Sequence, residues 1–155
     1  MQKLFLTFFG IGLLPKAPGT WGSIAGAIVA YLVLLAFSNT TLFLASILLF
    51  LVSISIINEY EKSVGEHDSS HIVIDEVAGV WLAIAISGGT ITQILLSFVF
   101  FRVLDITKPS IIGRIDKDVK GGLGVMGDDM VAGFFAGLMS AIIYGICLKL
   151  GVNLI

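Results

Sequence analysis

Five apolar runs, at residues 22–37, 41–57, 71–87, 90–104 and 130–150, make up most of this chain. Adjacent acids break into two of them, Asp75-Glu76 ahead of VAGVWLAIAIS and Asp128-Asp129 ahead of MVAGFFAGL. Each run is close to the ~20 residues a helix needs to cross a bilayer. Inside lipid the chain must satisfy its own backbone polar groups, so the runs are predicted to be helices. Ionised groups at that depth are costly, and they face a protein interior where they do a job.

Composition agrees. Of 155 residues, 57% are hydrophobic and 13% charged, about half the charged share of a soluble domain. The expected class is all-α: a polytopic membrane bundle of about five membrane segments, formed by residues 1–155 as a single domain. The first ~14 residues, with Lys3 and the cluster Phe5, Phe8 and Phe9, are predicted to form an interfacial helix ended by Pro15 and Pro18. They are read as retained rather than as a cleaved signal. A net charge of −2 points away from nucleic acid. The single Cys147 sits in an apolar run, where a structural thiol is the expectation.

The loops alternate in character. If all five segments cross, Lys3, Lys16, Lys62, Arg102, Lys108, Arg114, Lys117 and Lys120 share one side, with only Lys149 opposite. Basic short loops mark the cytoplasm, so that side is expected to be cytoplasmic. A rival arrangement runs residues 77–104 as a single tilted span through Gly88-Gly89.

Spacing suggests how the acids meet. Asp75, Gly79 and Ala83 lie four apart, as do Asp129, Gly133 and Gly137. Small residues at this spacing let membrane helices approach closely, so two such stripes in contact would join Asp75 to Asp129. Glu76 and Asp128 lie beside them. Hard oxygen ligands at a membrane surface suit Mg²⁺. Arg102 and Lys108 flank Asp105 and offer the positive charge a phosphate needs, although Arg102 and Asp105 at i,i+3 also fit a structural ion pair. Gly122 and Gly124 lie in a glycine-rich stretch that can turn N–H groups toward an anion. Thr20 is a candidate N-cap of the first long helix. His67 reads first as a solvated loop histidine, and Asp116-Lys117-Asp118 only superficially as an aspartyl-phosphatase motif.

Taken together, PKAPGTWGS, EHD with IVIDEVAG, FRVLDITKP and DKDVKGGLGVMGDDMVAG resemble the phosphatidylglycerophosphatase A family over nearly the whole chain, in order. The resemblance implies Mg²⁺-dependent hydrolysis of phosphatidylglycerophosphate to phosphatidylglycerol, in phospholipid biosynthesis at the cytoplasmic face of the bacterial inner membrane. Its motif positions fall on Lys16, Thr20, His67, Asp68, Asp75, Glu76, Arg102, Asp105, Lys108, Gly122, Gly124, Asp128 and Asp129. The combined expectation places Mg²⁺ on Asp75, Glu76, Asp128 and Asp129. Substrate falls to Lys16, Thr20, Arg102, Lys108, Gly122 and Gly124. Chemistry falls to Asp75, Asp105 and Asp129, by attack of metal-bound water or through an aspartyl-phosphate on Asp105 or another acid. Two other classes remain open: a small cation channel or transporter, for which acids at the bilayer midplane are expected, and a lipid-headgroup transferase, whose spaced Asp-rich helix pattern is absent here.

Overall fold

A computed structural model describes residues 1–65 and 69–152; His67 and Asp68 lie outside the described residues. Those described form helices and turns, with no strand among them. In chain order they are α1 (Gln2–Leu6), a 3-10 turn (Ile11–Leu13), α2 (Pro18–Ala36), α3 (Asn39–Val64), α4 (Ile74–Ser87), α5 (Ile91–Thr107), α6 (Ile111–Asp118) and α7 (Gly122–Lys149).

The ends follow local chemistry. Pro18 opens α2, where its missing N–H costs nothing. The Ser38 hydroxyl accepts from the Thr41 N–H to start α3, and Gly65 closes it with positive φ. α4 stops at Gly88, and a capping box between Thr90 and Gln93 starts α5. The break at Gly88–Thr90 rules out the single tilted span through residues 77–104.

α4 is the central helix. It packs on α2, α3, α5 and α7, most extensively on α7, and most of its residues are buried. Its contacts with α7 keep register: a Cβ on Gly79 would stand 2.7 Å from the Asp129 carbonyl oxygen, and one on Gly137 would stand 2.7 Å from the Ala83 oxygen. Both helices therefore run the same way, each with its acids at the same end of the bundle. Polar side chains tie the helices through backbone carbonyls. The Trp81 Nε1–H donates to Gly26 O at 2.8 Å, and the Ser46 hydroxyl to Ala78 O at 2.9 Å. Such bonds hold membrane helices together where apolar burial supplies no net drive.

α2, α3 and α7 are long and apolar enough to cross a membrane. α4, at 14 residues, rises only about 21 Å. The N-terminal expectation needs correction. α1 ends at Leu6, and Phe8 and Phe9 take positive φ of 43° and 58°, which no helix continues. Leu6 is buried, and its carbonyl accepts from Val73 N–H at 3.0 Å, so this segment is docked on the bundle. α6 is a further surprise within what the sequence presents as loop. α7 also starts eight residues before the apolar run at Met130.

The two ends of the bundle differ. At one, Asn39 Nδ2 donates to Gly88 O at 2.7 Å, joining the α2–α3 turn to the α4–α5 turn. At the other lie the acids.

Candidate active site

Asp75 and Glu76 occupy the first turn of α4. Arg102 and Asp105 lie near the end of α5, and Lys108 is its C-cap. Asp128 and Asp129 lie about two turns into α7 rather than at its N-terminus. Three helices thus deliver these charges to one polar pocket of about 270 Å³, whose lining also includes Gly19 of α2 and Asp116 of α6.

Within it, one carboxylate oxygen from each of Asp75, Glu76 and Asp129 lies within 4.8 Å of the other two. Asp75 and Asp129 are nearly inaccessible to solvent. Ion pairs between described residues engage Asp105, Asp116 and Asp128, and none engages these three. Glu76 Oε2 is buried with no hydrogen-bond partner among the described residues. The absence of a side chain at Gly19 leaves room for the Glu76 carboxylate, whose Oε1 a Cβ there would displace. Three close carboxylates with an orphaned oxygen fit a hard divalent cation, which binds through oxygen and neutralises them together.

Each cation is held by its own set of partners. Arg102 Nη1 pairs with Asp105 at 2.5 Å, Nη1 also reaches Ser23 Oγ at 3.3 Å, and Nη2 donates to Thr20 Oγ1 at 3.2 Å. Thr20 therefore braces the guanidinium; α2 has no side-chain cap at its start, contrary to the N-cap expectation. Lys108 Nζ donates to Asp116 and, at 2.7 Å, to Asp128. Burial works against charge on Lys108, but the hydrogen bonds to Asp116 and Asp128 outweigh it and hold the ammonium above the ordinary lysine range.

Asp128 is thus bound to Lys108 and stands outside the three-acid group. Lys16 is exposed and does not line the pocket. Gly122 and Gly124 are helical. The Gly122 N–H is taken by Asn58 Oδ1 at 2.8 Å and that of Gly124 by Gly121 O at 2.9 Å, so neither amide is turned toward the acids. Sequence spacing does not reveal Asp116 or Ser23 as members of the site. Asp116 reaches Lys108 only because Pro109 turns the chain into α6, and Ser23 is one turn beyond Gly19 on α2.

The family model described as Phosphatidylglycerophosphatase A matches residues 4–144. A phosphatidylglycerophosphatase A of Haemophilus influenzae is 36% identical over 129 residues, covering 83% of this chain and 79% of its own. One from Escherichia coli is 36% identical over 127 residues, covering 81% and 73%. A protein of Bacteroides thetaiotaomicron, named provisionally as a phosphatidylinositol-3-phosphatase, is 35% identical over 150 residues and covers 92% of both chains. No solved structure gives a significant match.

Proposed function

Because the chain belongs to the phosphatidylglycerophosphatase A family of hydrolases, we propose that it removes the terminal phosphate of phosphatidylglycerophosphate, using Mg²⁺ held by Asp75, Glu76 and Asp129. One observation carries this reading. The pocket gathers six carboxylates, Asp75, Glu76, Asp105, Asp116, Asp128 and Asp129, against two cations, Arg102 and Lys108. A phosphate monoester entering such a field would be repelled unless further positive charge came with it. Mg²⁺ at the three acids would supply that charge, polarise a phosphoryl oxygen and acidify a water molecule.

The remaining roles follow from the contacts. Lys108 sits between two carboxylates on a flexible stem, so it can trade one of them for a phosphate oxygen. Arg102, braced by Thr20, Ser23 and Asp105, orients the phosphoryl group from the opposite side. Asp105 is engaged by the Arg102 guanidinium at 2.5 Å, which commits it to positioning that cation. We therefore assign the attack to water: its oxygen bonds to phosphorus, the bond from phosphorus to the glycerol oxygen breaks, and a proton given up by the water passes to that oxygen, which leaves as the alcohol. Asp128 and Asp116 fix Lys108.

The test is phosphate release by purified protein from phosphatidylglycerophosphate in mixed micelles, with phosphatidylinositol 3-phosphate as the competing substrate. The first lipid should be preferred. EDTA should abolish turnover and Mg²⁺ restore it. Full activity after thorough chelation would remove the metal from the mechanism, and preference for the inositol lipid would reassign the substrate.

We further propose that α2, α3, α4, α5 and α7 all reach across the bacterial inner membrane, with the acids at its cytoplasmic face. The support is the basic residues gathered at that end. In a Cys147→Ser background, Thr40→Cys at the other end should react with an impermeant thiol reagent applied to intact cells. Lys117→Cys, exposed on α6, should react only after permeabilisation. Labelling of Lys117→Cys from outside would invert the arrangement.

A further inference from the structure

A cavity larger than the polar site lies elsewhere among the described residues. It is an apolar groove of about 380 Å³ between α2 and α5, walled by Ile24, Ala27, Tyr31, Leu95 and Phe98 among others. The two helices run antiparallel and touch over far less of their length than α4 and α7 do, so the seam between them stays open. Ile24 to Tyr31 spans about 10 Å of helix.

Position gives the groove its meaning. At the acidic end of this same seam, α2 contributes Gly19, Thr20 and Ser23, and α5 contributes Arg102 and Asp105. Ser23, which bonds Arg102, is directly followed by Ile24, the first groove residue. The groove thus begins next to Ser23 on α2 and, at Phe98, about one helical turn from Arg102 on α5, along the same seam. A ligand that fills both has an anionic head and an apolar tail.

We propose that the α2–α5 groove seats one acyl chain of the lipid substrate while its phosphate occupies the polar pocket. This deepens the phosphatase reading and rests on it. The gain is not ordinary hydrophobic burial, because a chain leaving bilayer for groove exchanges one apolar medium for another. What the groove supplies is register: a chain held along α2 and α5 fixes how far the headgroup extends past Arg102. Misplacement of about 1 Å can cost ~100-fold in rate.

The experiment fills the groove and compares two substrates with the same head. Ala27→Trp places a ring in the middle of the seam. Leu95→Trp does so from an exposed wall position (61% accessible), where folding has little at stake. Ile142→Trp, on the exposed face of α7, controls for bulk in lipid. The substrates are dipalmitoyl and dihexanoyl phosphatidylglycerophosphate, the second too short to follow the groove. Both groove variants should lose ~10- to 100-fold in kcat/KM on the long-chain lipid and stay near the wild-type rate on the short one, while Ile142→Trp changes neither. If Leu95→Trp lost both activities equally, or neither, the groove would not seat the chain. Wild-type protein inert toward both lipids would sink the phosphatase reading and this proposal with it.

Discussion

Replacing Gly133 by leucine should abolish activity almost as completely as removing an active-site acid, although position 133 touches no substrate. A Cβ at Gly133 would overlap the Gly79 carbonyl oxygen and stand 3.1 Å from Gly79 Cα. Those are backbone atoms of the central helix, so no rotamer change can relieve the clash, and α4 and α7 must separate. Asp129 lies one turn from Gly133, and Asp75 one turn from Gly79. Overpacking of a membrane seam costs roughly 1–3 kcal/mol, which a bundle of this size can survive. The paired acids cannot tolerate it, since ~1 Å of displacement costs ~100-fold. Phe134→Leu, at a half-exposed neighbour, should be mild. Turnover should be measured on purified, folded protein at matched amounts. Near-normal turnover in Gly133→Leu would mean that the shared stripe does not set the distance between the acids.

Equally large is the loss expected from Asp129→Asn. The amide keeps the volume but is a poor ligand for a hard cation. The loss should exceed the ~10–100-fold typical of changes in the shell beyond the ligands, with apparent Mg²⁺ affinity falling in parallel. Asp128→Asn, next along the chain, provides the contrast. Its carboxylate faces Lys108, so it should weaken phosphate binding and raise KM while leaving the Mg²⁺ requirement near normal. Equal Mg²⁺ dependence in the two variants would return Asp128 to the ligand set.

Much of this was legible in the sequence because lipid simplifies the problem. Apolar runs must be helices, and Asp75, Gly79 and Ala83 must share a stripe, as must Asp129, Gly133 and Gly137. Matching the stripes brought Asp75 near Asp129 without any knowledge of loops. Where the chain leaves the apolar runs, the simplification ends. Gly121–Gly127 read as an anion-binding loop because glycine favours loops in water. In the structure those residues begin α7, where the lack of side chains lets the helix pass close to the Ile54 carbonyl of α3. Thr20 read as a cap because capping is local, whereas its Arg102 partner is 82 residues away in sequence. Asp116 was hidden for the same reason. Its role depends on where α6 folds back, which no periodicity encodes.

The overhang of α7 has a mechanical consequence for the surrounding lipid. Seven residues separate Gly122 from Asp129, so the helix continues about 10 Å past its acid. The reactive centre lies at the bottom of a well, while α4, whose first turn carries Asp75 and Glu76, is shorter than a normal leaflet pair requires. If the Asn39–Gly88 end is level with one edge of the hydrocarbon, the opposite leaflet must dip to meet the well, or headgroups must bend down into it. Either deformation costs fractions of a kcal/mol per ångström of mismatch. Where headgroups must bend, that cost would enter the barrier for each substrate molecule, and the thickness of the host bilayer would become a determinant of turnover that no side chain of the protein controls.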